Sequence, residues 1–139
     1  MKIALVHDYL CGIGGSERVF QHICEAFPKA DIYTIAYNPK KTLPYYNTKI
    51  IKTSVMNLFI RNMSMFRLFF PINIFVMKLF NFSSYDLIIS SSASTAKYLN
   101  KKNAKHICYC YIPTRAIWNT QAYFGNAGIK KKVFSLLIN

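Results

Sequence analysis

"KIALVHDYLCGIGGSERV", residues 2–19, decides how the rest of the chain is read. Ile3, Ala4, Leu5 and Val6 are continuously apolar, as a strand covered on both faces requires. Glycines at 12, 14 and 15 then break the run. Beyond them Val19, Phe20, Ile23, Cys24 and Phe27 recur at three- and four-residue spacing, which is one face of a helix. Ser16 stands where an N-cap is expected, and Pro28 stops the helix. "ADIYTIAY", residues 30–37, is rich in β-formers and is closed by Asn38 and Pro39. Strand, helix, strand in this order is a βαβ unit, which predicts a parallel sheet.

The same rhythm continues outward. Lys40, Lys41 and Pro44 predict a surface loop, with a short strand within "KIIKTS", residues 49–54. From Val55 to Phe82 the chain is dense in Phe, Leu, Met and Ile, with Arg61, Arg67 and Lys78 interspersed, and Pro71 divides two helical pieces. These helices either face the core or offer a basic, aromatic-rich surface to lipid headgroups, and two faces can do both. "YDLIISSS", 85–92, predicts a strand whose serines cap a helix over about 93–100, and "KHICYCY", 105–111, a further strand ended by Pro113. "TRAIWN", 114–119, reads as a loop, and Ile129, Val133, Leu136 and Leu137 as a last amphipathic helix behind Gly128. The fold class expected is α/β, a Rossmann-like parallel sheet flanked by helices.

Composition narrows the functional classes. The 139 residues are 53% apolar, enough for one domain with a core and too apolar for disorder. Eighteen basic and five acidic side chains give a net charge of +13, which favours an anionic partner: nucleic acid, an anionic membrane surface or a phosphorylated substrate. No helix-turn-helix, zinc-finger or RNP-like pattern accompanies the charge, so a nucleic-acid partner is not expected. Cys11, Cys24, Cys108 and Cys110 do not form a disulfide scaffold in a chain of this size, and a reduced, cytoplasmic setting follows. The longest apolar stretch, "LFFPINIFVM" at 68–77, is broken by Pro71 and Asn73 and falls short of the roughly 18 residues of a membrane span.

In an open parallel sheet, ligands bind at the carboxyl ends of the strands. Residues 7–16, 90–94 and 111–119 all fall there. Gly14 and Gly15 are free to take positive φ and bring backbone close to an anion, which the N-terminus of the following helix would favour; the alternative is a plain tight turn. A dinucleotide site is excluded, because Glu17 occupies the third glycine's place and no acidic residue ends the second strand. "GIGGSER" also lacks the lysine and Ser/Thr of a Walker loop. His106, Cys108 and Cys110 share one strand face, but without a fourth ligand they read as buried thiols in a sheet and no metal is expected. Asp8 either accepts hydrogen bonds from substrate hydroxyls or orders the turn. Arg115 either pairs with phosphate or is ordinary surface charge. Trp118 either stacks on a ring or covers the core.

Three stretches, "MKIALVHDYLCGIGGSERV", "FSSYDLIISSSASTAKYL" and "KHICYCYIPTRAIWN", in this order and with "ADIYTIAYNP" between the first two, resemble the N-terminal domain of GT-B-fold glycosyltransferases of family 4, from the group that builds bacterial surface polysaccharides such as lipopolysaccharide and capsule. The resemblance spans nearly all of residues 1–139 and implies the N-terminal half of a GT-B fold, incomplete at its C-terminus, with the nucleotide-sugar-binding second domain absent. It implies an acceptor-side domain, peripheral on the inner face of the plasma membrane, that meets a lipid-linked or glycan acceptor. Gly14, Gly15 and Ser16 would lie against the donor diphosphate, with Asp8, Arg115 and Trp118 on the acceptor side and Asp8, Tyr111 and Arg115 in the reaction cleft. No cofactor is implied. Relatives usually carry histidine where Tyr111 and Ala93 stand and aspartate where Asn119 stands. A nucleotide-sugar would be a partner only once a second domain, such as a separate C-terminal half, completes the cleft. The alternative is a non-catalytic α/β remnant or an interaction subunit of a split transferase.

Overall fold

A computed structural model of the chain describes residues 1–112. Five strands, β1 (Ile3–His7), β2 (Asp31–Thr34), β3 (Ile51–Thr53), β4 (Leu87–Ser92) and β5 (Lys105–Cys110), form one sheet in the order β3-β2-β1-β4-β5. Every pairing is parallel. The chain starts at the centre, steps outward through β2 and β3, then returns to the other side of β1 for β4 and β5. The reversal therefore falls between β1 and β4, where His7 pairs in register with Ser91. This is the expected Rossmann-like arrangement.

The unbroken apolar run of β1 has a direct cause. Leu5 packs with Phe20, Cys24, Ile32, Tyr46 and Ile89 on the face covered by helix α1 (Gly15–Ala26). Ala4 and Val6 pack on the other face with Phe66, Met77, Phe82 and Ile88, beneath helices α2 (Met63–Leu68) and α3 (Phe70–Leu79). Asn62 caps α2 by accepting from the Met65 N–H at 3.0 Å. Pro71 lies in the first turn of α3, where its missing N–H leaves no bond unmade. The buried Asn73 side chain donates to the Phe66 carbonyl at 2.9 Å and pins the two helices together.

Four expectations are corrected. The second strand ends at Thr34 rather than Tyr37, because Ser54 takes up the Ile35 carbonyl through both its N–H and its hydroxyl, leaving only an isolated bridge between Leu10 and Tyr37. Ser16 does not cap α1: the helix begins at Gly15, Gly14 stands at the cap position without a side-chain bond, and the Ser16 hydroxyl donates to Glu17 instead. The helix expected over 93–100 is a single 3₁₀ turn, Ala96–Tyr98. Asn100 accepts from the Lys102 N–H and Lys102 takes φ 52°, which turns the chain into β5 before a helix can grow. Cys108 and Cys110 are exposed, because among the described residues β5 is the outermost strand and pairs with β4 alone. The loop carrying Arg115, Trp118 and Asn119 and the helix expected after Gly128 lie outside the described residues.

Candidate functional site

The crevice of an open parallel sheet opens where strand order reverses, here at the carboxyl ends of β1 and β4. Asp8, the first residue past β1, is 2% exposed and its two oxygens organise the whole segment that leaves β4. Oδ2 accepts from the N–H groups of Ala93 and Ser94 at 2.7 and 2.8 Å. Oδ1 accepts from the N–H groups of Thr95 and Ala96 at 2.8 and 2.7 Å, and from the hydroxyls of Ser92 and Thr95. Backbone donors that converge in this way make an anion nest. In this chain the anion is its own.

His7 lies one residue earlier, stacked on Phe20 at 4.7 Å between ring centroids. Its Nδ1 is 2.9 Å from the Ser91 carbonyl and 3.1 Å from the Ser91 hydroxyl. A carbonyl only accepts, so Nδ1 carries the hydrogen. The Ser91 hydroxyl then meets the Tyr111 hydroxyl at 2.8 Å, and Tyr111 donates to the Ser16 carbonyl at 3.0 Å. One directed chain of hydrogen bonds thus joins β1, β4, the residue after β5 and the first turn of α1. Burial pushes the Tyr111 hydroxyl above its ordinary pKa, which suits a donor and disqualifies a base near neutral pH.

The glycine turn is more crowded than its composition implies. Glu17, 2% exposed, folds back beneath it. A Cβ on Gly14 would stand 2.8 Å from the Glu17 Oε2, so a larger residue there has to displace the Glu17 carboxyl. The expectation of positive φ is corrected: Gly14 is extended at φ −148°, and neither Gly12 nor Gly15 enters the left-handed region. The turn is wide enough to be built without it. Burial works against ionisation of Glu17, but electrostatic attraction from His7, whose Nε2 lies 3.8 Å from Oε1, and hydrogen bonds from its own N–H and the Ser16 hydroxyl outweigh it and hold the carboxyl below its ordinary value. The Tyr46 hydroxyl closes the far side by donating to the Glu17 carbonyl at 2.6 Å. Gly15 differs: nothing lies within 4 Å of the place its Cβ would occupy.

Of the residues singled out in the sequence, the structure thus brings together Asp8, Gly14, Gly15, Ser16 and Tyr111, while Arg115 and Trp118 fall outside the described residues. His7, Glu17, Ser91 and Ser92 were not singled out as site residues. For His7, Ser91 and Ser92 the signal was present: polar residues at the carboxyl end of a strand that is otherwise apolar on both faces. His106 stays apart from the crevice, with its Nε2 2.7 Å from the Ser90 hydroxyl. Among the described residues no group of three or more His, Cys, Asp or Glu side chains is placed to hold a metal ion. A recess lined by Ile3, Phe27, Pro28 and Asp31 opens at the amino ends of β1 and β2, the edge opposite the crevice.

No family model and no curated protein matches the sequence. Among solved structures, the lipopolysaccharide outer core galactosyltransferase WaaB in its apo form matches with a TM-score of 0.41 and 21% sequence identity. The match covers 70% of this chain and 28% of that one, so the chain spans less than a third of the length of that structure. At this level the likeness adds nothing beyond the architecture already described: a parallel α/β domain with a polar crevice at its switch point.

Proposed function

We infer that the domain is the acceptor-side, N-terminal half of a GT-B-fold sugar transferase of family 4, which works when a second domain carrying the nucleotide-sugar site closes over the crevice. One observation carries this reading. The opening stretches that resemble the family meet at the β1/β4 switch point, where the N-terminus of α1 faces open space at Gly15. The acceptor hydroxyl would attack the anomeric carbon of the donor sugar, the bond to the nucleoside diphosphate would break, and the diphosphate would leave with the electron pair and take up the proton that the hydroxyl gives up. Unpaired N–H groups at Gly15 and Ser16 would stabilise that departing charge. Asp8 acts as a positioning residue, since the six hydrogen bonds of its carboxylate all go to the 92–96 segment. Tyr111 holds that segment against α1. Arg115 would add positive charge toward an anionic acceptor, and Trp118 would stack on its sugar ring. No cofactor or metal enters the scheme.

Amide NMR of the chain titrated with pyrophosphate and with nucleoside diphosphate-sugars tests this. Shifts are expected at Gly14–Glu17, weak in affinity, and lost in Gly15→Leu, which the open space tolerates. Shifts confined to other residues would count against the reading.

A second reading rests on the internal carboxylates. Asp8 already fills the nest at 93–96 and Glu17 stands beside Gly14, an arrangement that also suits a non-catalytic interaction subunit. That reading expects no pyrophosphate response, and no turnover when a complete donor domain is supplied.

A further inference from the structure

Helix α3 is apolar on two opposite faces. Val76 and Met77 are buried in the core beneath the sheet and Phe70 is buried as well, whereas Ile72, Phe75 and Leu79, at i, i+3 and i+7, face outward, with Phe75 and Leu79 each 63% exposed. Leu68 at the end of α2 is 64% exposed, and Leu58 and Phe59 in the 3₁₀ turn Val55–Leu58 and its cap are also exposed. Scattered exposed apolar side chains are ordinary. A concentration of this density within some two dozen residues marks an interaction surface.

Charge identifies what covers it. No acidic residue occurs between Ile32 and Tyr85, while Lys52, Arg61, Arg67 and Lys78 recur through the same segment. A second copy of the chain is a poor complement. Of its five acidic residues, Asp8 and Glu17 are buried, Glu25 pairs with His22, Asp31 with Lys52 and Asp86 with the N-terminal amine, so docking this face on a copy would bring like charges together. Residues 113–139 are basic as well, with Arg115, Lys130, Lys131 and Lys132 and no acid. Nucleic acid would satisfy the charge and leave the leucines and phenylalanines in water. An anionic lipid surface satisfies both, because acyl chains receive the apolar stripe and headgroups the basic fringe. Among the described residues no helix is long and apolar enough to cross a membrane, so the contact is interfacial.

We propose that the outward face of α2–α3, centred on Leu68, Ile72, Phe75 and Leu79, seats the domain on an anionic bilayer with Arg61, Arg67 and Lys78 at headgroup level. The surface stands independently of sugar transfer: vesicle binding can fail while the pyrophosphate response at Gly15 remains, and the reverse.

The test is flotation of the full chain with phosphatidylcholine vesicles and with vesicles in which about a third of the lipid is phosphatidylglycerol. Binding is expected to the anionic vesicles and to weaken with salt. The double variant Leu68→Ser/Phe75→Ser should bind at least about tenfold more weakly with an unchanged thermal midpoint. Arg61→Gln/Lys78→Gln should lose roughly 25-fold and show a shallower salt dependence. Amide exchange over 63–79 should slow in the presence of anionic vesicles while β1 is unaffected. Equal partition to both vesicle types, no partition at all, or variants that bind as the parent does would overturn the proposal. So would self-association abolished by Leu68→Ser/Phe75→Ser, which would assign the face to a second copy.

Discussion

The switch-point crevice and the outer face of α3 invert the ordinary partition of a folded chain in opposite directions. At the crevice, His7, Asp8, Glu17, Ser91 and Ser92 are withdrawn from water. On α3, Ile72, Phe75 and Leu79 are left in it. Burying polar groups is tolerable only when their hydrogen bonds are made, and Asp8 meets that condition through six donors from one short segment. Exposed apolar groups face no such demand, so nothing among the described residues explains the α3 stripe. Rigidity is what the first region gains from its arrangement, and availability is what the second retains.

The sharpest way to break this contrast is Asp8→Ala. It orphans the N–H groups of Ala93, Ser94, Thr95 and Ala96 together, and should cost about 3 kcal/mol or more in urea unfolding. A neutral result would mean that the 92–96 segment holds itself. Next comes a neighbouring pair on one helix. Met77→Ala, at a fully buried position, should lose about 2–4 kcal/mol, whereas Phe75→Ser should stay within about 0.5 kcal/mol of the parent. Comparable losses at both would show that the outer face is packed after all.

The smallest effect sharpens the crevice's electrostatics. Because Glu17 has a folded-state pKa below its ordinary 4.5, its contribution is fully present above that value and disappears as pH falls through the lowered one. Glu17→Gln should therefore cost about 1–2 kcal/mol near neutral pH. Its stability curve should converge on the parent's in acid. A gap that persists unchanged to low pH would assign the cost to packing rather than to charge.

Much of the architecture was legible along the chain, because period and continuity are local properties. The apolar run at 3–6, the three- and four-residue spacing from Val19 to Phe27 and the break at Pro71 each report a burial pattern that neighbours in sequence already share. The misreadings arose where a distant partner intervened. Ser16 has the right chemistry for a cap, yet Glu17 takes its hydroxyl. The residues over 93–100 have helical potential, but Asn100 and Lys102 steer the chain toward a strand that pairs with β4. Cys108 and Cys110 alternate as a buried strand would, and exposure follows from β5 standing outermost among the described strands.

By itself the sequence determined a parallel α/β domain, a glycine turn at the carboxyl edge of its first strand and a strongly basic, acid-poor middle segment. These are matters of composition and short-range spacing. Only the tertiary structure decided that Asp8 is spent on residues more than eighty positions away, that Glu17 sits under Gly14 while Gly15 stays open, and that Phe75 faces out where Met77 faces in. Such facts depend on which strands become neighbours. That choice is made by the whole core at once, and no local stretch of the chain records it.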